Sequence, residues 1–267
     1  MNNFKKIKNH FKNRVLLKKI FQYLIAVLYK LYNSFLLKIF FNFISIKRRK
    51  LRKFERTIKL IDKNFFKVGN YFLPITNTLD SDSNFLSFGI GSDVRFECAV
   101  YDKYKTSAHC FDPTPRSQKL MKEINKDFLN YYPIGLSENG GSLTFYQTKP
   151  YSDYTLFKPN IFWNKFVAEC FSIDEILNNF DIDYIDLIKL DIEGAAMEPI
   201  LHLCSTPERF GILIAELELM DGDINNYISQ VKQLLELVNT NNYEIFRIPK
   251  KRSNFKSIEV IILNLQS

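Results

Sequence analysis

An aspartate at position 112 follows a short glycine turn at a spacing that suits nucleotide binding. The turn contains Gly89 and Gly91, and Asp112 comes 21 positions after Gly91 (112 − 91). A turn with little side-chain bulk lets a ligand approach the backbone closely, and a helix that begins there points free N–H groups at the same place. A carboxylate after the next strand can accept hydrogen bonds from a ribose diol. The alternative is an ordinary turn followed by a surface aspartate.

The turn departs from the dinucleotide fingerprint Gly-x-Gly-x-x-Gly. Val94 stands three positions beyond Gly91, where the fingerprint has a third glycine that allows close contact between helix and strand. This departure disfavours a nicotinamide-dependent oxidoreductase. It favours the class I methyltransferases that bind S-adenosylmethionine, since their first turn needs only the early glycines.

The elements around the turn alternate between strands and helices. Tyr184–Leu190 is rich in apolar residues, as expected of a strand covered on both faces, and Ser172–Glu175 forms a capping box that begins a helix. Gly211–Glu218 predicts another buried strand, and Tyr243–Ile248 and Ser257–Leu263 predict a closing pair of strands. The order indicates an α/β fold with a doubly wound sheet and a terminal antiparallel hairpin.

The middle of the chain is less regular. Tyr131–Leu136 predicts a third strand, and residues 138–141 predict a hairpin turn that leads into a returning strand, Ser142–Gln147. The following excursion through Pro150, Pro159 and Trp163 shows no clear periodicity. It could cover a substrate pocket or serve only as padding.

The segment Leu187–Ala195 (LIKLDIEGA) carries the most specific signal in the chain. It resembles the hallmark segment of the FkbM-type S-adenosylmethionine-dependent methyltransferases, Lys-hydrophobic-Asp-hydrophobic-Glu-Gly, and the helix that begins at Ser172 is also similar. Ser87–Gly91 and Phe111–Pro115 resemble a branch of this family related to methyltransferase-like protein 24. The resemblance covers about Phe85 to Leu263.

This resemblance implies a class I Rossmann-like methyltransferase fold with S-adenosylmethionine as the cofactor. Gly89, Gly91, Asp112 and Ser137 are the candidate cofactor-binding residues. Asp112 is expected to hold the ribose, and the turn at Ile134–Ser137 is expected to flank the adenine.

Asp191 and Glu193 are the candidate catalytic residues, because the resemblance implies that they face the methyl donor and acceptor. One of the two carboxylates would take the proton from an acceptor hydroxyl. The alternatives are structural, with Glu193 complementing a helix dipole and Asp191 capping the helix. Ser87 stands where many class I enzymes carry an acid, which leaves open the group that meets the methionine end of the cofactor. No metal site is predicted.

The charge of the chain is divided unevenly. Residues 1–59 hold 17 Lys/Arg and one acid, whereas the other 208 residues hold 20 basic and 28 acidic residues. We therefore divide the chain into a basic amphipathic helical arm, residues 1–64, and a methyltransferase domain, residues 65–267. The four cysteines are widely spaced, as expected of free thiols in a reducing compartment.

The arm has a broad apolar surface with a narrow polar stripe. Its longest uncharged run, Ile20–Tyr29, is ten residues, well short of the ~20 that a membrane span needs. The favoured interpretation is an amphipathic helix that lies on an anionic membrane surface. Packing of the helix on the domain or on a second subunit is the main alternative. The third interpretation is a helix that spans the membrane. A nucleic-acid partner is not expected, because phosphates make no use of the apolar face.

Together these features predict an O-methyltransferase that acts on a hydroxyl of a small molecule, sugar or glycoconjugate. The predicted location is the cytoplasm, with peripheral attachment to the inner face of the membrane. The alternatives are a catalytically silent Rossmann-like module held at a membrane and a nicotinamide-dependent sugar oxidoreductase.

Overall fold

The structure, a computed structural model, describes residues 49, 53–75, 78–149, 152–219, 223–249 and 257–265. The chain divides into two compact units, residues 1–52 and 53–267, and the elements below belong to the second. The apolar helical stretch predicted within the arm, residues 15–46, lies outside the described residues, so the arm and its membrane contact stay predictions. Within the described residues, no helix combines the length and the apolar character that crossing a membrane requires.

The described residues of the domain form helices and mostly short strands. The strands are β1 (Lys59–Leu60), β2 (Phe65–Val68), β3 (Tyr71–Pro74), β4 (Phe85–Phe88), β5 (Ala108–Phe111), β6 (Leu129–Tyr132), β7 (Gly135–Leu136), β8 (Gly141–Gln147), β9 (Tyr154–Thr155), β10 (Asn164–Phe171), β11 (Ile185–Leu190), β12 (Phe210–Glu218), β13 (Tyr243–Arg247) and β14 (Ser257–Asn264). The helices are α1 (Arg95–Tyr104), α2 (Pro115–Glu123), α3 (Ile173–Asn179), α4 (Met197–Ser205) and α5 (Ile224–Thr240).

The main sheet has the strand order β1-β13-β14-β12-β11-β4-β5-β6. Its strands pair in parallel except β14, which lies antiparallel between β12 and β13. This confirms the predicted α/β fold with a mostly parallel sheet and a terminal antiparallel pair. The strand order reverses between β4 and β11, and the carboxyl ends of strands at such a point form a crevice for ligands.

Burial explains why β4 and β11 lie at the centre of the sheet. All four residues of β4 are buried, and so are five of the six residues of β11. Strands covered on both faces are typical of parallel sheets. On one face, Phe96 of α1 packs edge-on against Phe85 of β4, with a ring-centroid distance of 5.7 Å.

The start of the domain contributes to the same sheet. Strand β1 pairs in parallel with β13, with Lys59 opposite Phe246, so residues 59–60 of the segment assigned to the arm belong to this sheet. Strands β2 and β3 form a separate antiparallel hairpin. The predicted capping box at the start of α3 is confirmed, since Ser172 Oγ accepts from Glu175 N and Glu175 Oε2 accepts from Ser172 N.

A second, four-stranded sheet has the order β7-β10-β8-β9. Two predictions were wrong here. The third strand divides at Pro133, which has no N–H to donate, so that β6 stays in the main sheet and β7 joins the second. The predicted hairpin through residues 138–141 does not form, because β10 lies between β7 and β8 and pairs with both.

Candidate active site

A cavity of about 270 Å³ lies at the carboxyl ends of β4, β5 and β11. The turn after β4 contributes Gly89 and Gly91 to its wall, and the segments after β5 and β11 contribute Asp112, Asp191 and Glu193. The structure therefore brings five of the six predicted site residues to one cavity. Their roles in binding and catalysis stay predictions.

The turns after β4 and β11 approach each other so closely that no side chain fits between them. A Cβ atom on Gly89 would lie 1.8 Å from the backbone oxygen of Asp191, and the φ angle of Gly89 is +77°. Gly91 has a φ of +55°, but a Cβ atom there would meet nothing within 4 Å. Gly89 is thus required for the contact between the turns, whereas Gly91 leaves open space beside the cavity.

The carboxylate of Asp112 is held in place by two backbone amides. Gly91 N donates to Oδ2 at 2.7 Å, and Thr114 N donates to Oδ1 at 2.8 Å. The side chain is largely buried, so these bonds fix its orientation. Each carboxylate oxygen has more than one acceptor position, so Asp112 can still accept from the hydroxyls of a ribose. The carboxylate and the open space at Gly91 fit a nucleoside.

A buried ion pair lies directly beneath the glycine turn. Lys189 of β11 donates from Nζ to the backbone oxygen of Gly89 at 3.1 Å and to Glu97 Oε1 at 3.3 Å. Burial alone would lower the pKa of Lys189, but the carboxylates of Glu97 and Asp191 outweigh it and raise that pKa overall. Lys189 therefore carries a positive charge that ties β11 to the turn and to α1.

Ser87 is part of this buried group and does not reach the cavity. Its Oγ donates to Glu97 Oε1 at 2.6 Å, and both side chains are fully buried. Where many related enzymes carry an acid at the end of the first strand, this chain has a serine that binds a glutamate from α1. Glu97 is fully buried and lines no part of the cavity, so neither Ser87 nor Glu97 offers a carboxylate to it.

Asp191 is oriented by a tyrosine that the sequence analysis missed. The hydroxyl of Tyr71, at the start of β3, donates to Asp191 Oδ2 at 2.6 Å. Burial and the nearby Asp191 carboxylate raise the pKa of Tyr71, so its hydroxyl stays protonated and remains a donor. Burial also raises the pKa of Asp191, against the lowering effects of Lys189 and of the Tyr71 hydrogen bond.

Glu193 has an uncommon backbone conformation and a perturbed carboxyl group. Its φ is +42°, in the left-handed region that residues other than glycine rarely adopt, and Thr155 Oγ1 donates to its backbone oxygen at 2.9 Å. Burial, reinforced by the negative charges of Glu218 and Asp153, raises the pKa of Glu193 to about 8. Strained backbone and a pKa near neutrality are both common at active sites.

Ser137 is the predicted site residue that the structure does not bring to this cavity. Ser137 N donates to Phe171 O, because β7 continues alongside β10, and this pairing carries the side chain to a second cavity beside Asp174 and His202. Gly135 and Leu136 of the same turn do line the first cavity.

The second sheet and α2 complete the wall of the first cavity. Phe145 of β8 and Tyr154 of β9 line the cavity, together with Arg116 and Asp153. Arg116 Nη1 and Asp153 Oδ1 form an ion pair at 2.7 Å. Among the described residues, no group of three or more His, Cys, Asp or Glu side chains has an arrangement that could hold a metal ion.

The two glycines of the turn should respond differently to substitution by alanine. In Gly91→Ala only the positive φ opposes the new side chain, so we expect the free energy of unfolding to fall by about 1–2 kcal/mol. Gly89→Ala adds a clash with the Asp191 backbone and should destabilise the domain by more. Urea unfolding of the two variants tests this order, and equal losses would contradict the described contact between the turns.

Comparison with known proteins gives the family. Residues 75–245 match the methyltransferase FkbM domain, and a search of curated proteins finds no match. Similar solved structures include an rRNA methylase from Streptococcus thermophilus (14% identity, TM-score 0.41, 70% of this chain and 90% of that chain). Another is a fibrillarin pre-rRNA processing protein from Methanococcus jannaschii (12% identity, TM-score 0.42, 77% of this chain and 84% of that chain). A third is TrmK from M. capricolum in complex with S-adenosyl-homocysteine (14% identity, TM-score 0.38, 70% of this chain and 65% of that chain).

The assignment rests on the domain match and not on these distant structures. The matched residues span more than half of the chain, and they include the glycine turn, Asp112 and the segment from Lys189 to Glu193. The protein therefore belongs to the FkbM methyltransferase family and is an S-adenosylmethionine-dependent methyltransferase.

Proposed function

We propose that the protein methylates a hydroxyl group on a sugar or glycoconjugate. The observation that carries this proposal is Glu193, a half-buried carboxylate on the cavity wall whose pKa is raised to about 8. A hydroxyl must lose its proton as it gains a methyl group, and a base with a pKa near the working pH suits that task.

The charge of the cavity supports an acceptor rich in hydroxyls. The negative charges of Asp153, Asp191, Glu216 and Glu218 all act on Glu193. Carboxylates accept hydrogen bonds from hydroxyl groups but repel phosphates, which disfavours nucleic acid as the acceptor. Tyr154 and Phe145 add aromatic surface to the same wall, against which a sugar ring can pack.

The residues of the site fall into two groups with different proposed roles. Asp112, with the backbone at Gly89 and Gly91, is proposed to hold the ribose of S-adenosylmethionine. The cofactor supplies a methyl group on a positively charged sulfonium. Asp191, fixed by its hydrogen bond from Tyr71, is proposed to place negative charge beside that end of the site.

Glu193 is proposed to be the general base. The Oδ2 atom of Asp191 already accepts from Tyr71, whereas within the part of the chain that the structure describes no side-chain hydroxyl donates to the carboxylate of Glu193. Thr155 instead donates to the backbone oxygen of Glu193, which holds the main chain at this position. Asp191 is thereby assigned the role of a fixed negative charge, and Glu193 that of the group that accepts the proton.

Substitution of Asp112 tests the cofactor site. Asp112→Asn keeps one acceptor oxygen near the two amides but removes the charge and one acceptor of the ribose. Since hydrogen bonds to charged groups contribute about 1.5–3 kcal/mol, we expect S-adenosylhomocysteine to bind at least about tenfold more weakly, as measured by calorimetry. Asp102→Asn, at an exposed position of α1, is the control. Unchanged affinity in Asp112→Asn would contradict the assignment.

The pH dependence of turnover tests Glu193 as the base. Because the carboxyl group must be deprotonated to act, kcat/KM with a hydroxyl-bearing acceptor should rise with pH, with its midpoint near the pKa of about 8. Glu218→Gln removes a negative neighbour, so the pKa falls and the midpoint should move to lower pH. Glu193→Gln should bind S-adenosylhomocysteine normally and lose turnover. Full activity in Glu193→Gln would remove it from the mechanism.

We also propose that the arm, residues 1–64, holds the protein at the inner, cytoplasmic face of a membrane. Its 17 Lys/Arg against one acid in residues 1–59 suit anionic lipids. Deletion of residues 1–46 should lower the share of the protein found in the membrane fraction on cell fractionation. If the truncated protein pellets as the full chain does, the arm is not the anchor.

A further inference from the structure

A cluster of exposed apolar side chains lies on the second sheet and the loop before β10. We call it the outer patch, and it consists of Phe157, Ile161, Phe162, Trp163 and Val167. Ile161 is 83% exposed, Trp163 68% and Val167 63%. Single exposed apolar residues are common, but several large ones within one short stretch of chain mark an interaction surface.

The second sheet has an inner and an outer face. On the inner face, Phe166 of β10 stacks on Phe145 at 5.1 Å and meets the ring of Tyr154 edge-on at 4.9 Å, and Phe145 and Tyr154 line the cavity. On the outer face, Lys165 lies opposite Tyr146 in the antiparallel register. Phe162 packs edge-on against Tyr146 at 5.2 Å. One face of the sheet thus closes the cavity, and the other belongs to the patch.

Positive charges outnumber negative ones around the outer patch, where Glu169 is an exposed acid on the same face of β10 as Lys165 and Val167. Lys158 and Lys165 are exposed within the same stretch, and Lys165 Nζ lies 5.9 Å from the centre of the Phe162 ring. Asp153, before the patch, forms an ion pair with Arg116. The outer patch therefore combines apolar side chains with lysines that reach beyond them.

We propose that the outer patch inserts into the surface of an anionic membrane. Tryptophan and other aromatic residues favour the boundary between headgroups and acyl chains, and lysines beside them meet lipid phosphates. This contact is made by the domain itself, so it is separate from the proposed contact of the arm and does not depend on the identity of the methyl acceptor.

Other partners fit the outer patch less well. Protein interfaces are depleted in lysine relative to the rest of the surface, whereas Lys158 and Lys165 flank the residues of this patch. Single-stranded nucleic acid binds through stacking on aromatic rings, and the most exposed residue of the patch is the aliphatic Ile161. An anionic lipid surface uses both the aliphatic side chains and the positive charges.

Trp163 makes a direct test possible, because it is the only tryptophan in the chain. The fluorescence of the full-length protein therefore reports on the outer patch even if the arm also binds membranes. With vesicles that contain phosphatidylglycerol, we expect the emission to shift to shorter wavelength and to be quenched by brominated lipids. Vesicles of phosphatidylcholine alone should produce much smaller changes.

Variants separate insertion of the outer patch from binding by the arm. Ile161→Ser keeps Trp163 and should raise the lipid concentration needed for half of the fluorescence change about tenfold, because a large aliphatic side chain no longer enters the bilayer. Ile75→Ser is the matched control, because Ile75 is 67% exposed and lies outside the patch. It should leave the change unaltered.

Three outcomes would overturn the proposal. The first is co-sedimentation of the full chain with anionic vesicles while the emission of Trp163 stays unchanged, which would assign membrane binding to the arm alone. The second is an equal response to phosphatidylcholine vesicles, which would exclude a role for the lysines. The third is an emission shift that depends on protein concentration without vesicles, which would make the patch a contact between copies of the chain.

Discussion

The close contact between the turns after β4 and β11 is the constraint on which the site depends. The backbone of Gly89 lies so near Asp191 that a Cβ atom would be 1.8 Å from its oxygen, and the ammonium of Lys189 binds the carbonyl of Gly89 from below. This contact places two loops from strands about a hundred residues apart at one edge of the sheet. The charge of Lys189 is balanced in turn by Glu97 of α1, so the helix that follows the glycine turn is fixed by the same group.

The acidic side chains of the cavity lie in two different environments. Asp112 is bound by two backbone amides, which suits a carboxylate that must stay fixed while it accepts hydroxyl groups. Asp191 and Glu193 lie among other carboxylates, where burial and repulsion raise their pKa values. The hairpin of β2 and β3 supplies Tyr71 to this second group and precedes the residues 75–245 that match the family domain. A segment outside the matched domain thus orients one of its acidic residues.

Local patterns in the sequence predicted the strands of the main sheet apart from β1 and five of the residues that line the cavity. The apolar run at Tyr184–Leu190, the capping box at Ser172 and the glycine turn depend on neighbouring residues, so they could be read without coordinates. The second sheet could not, because β7 has two residues and β10 follows a stretch without periodicity. Tyr71 was missed since its partner Asp191 is 120 positions away, and Ser137 was misplaced because the pairing of β7 with β10 was not foreseen.

The most direct test of the account is a crystal structure of the protein with S-adenosylhomocysteine. We expect the two ribose hydroxyls to lie within hydrogen-bond distance of Asp112, and the sulfur to lie nearer to Asp191 and Glu193 than the adenine does. A ligand bound in the second cavity beside Ser137, or one that leaves Asp112 without contact, would contradict it.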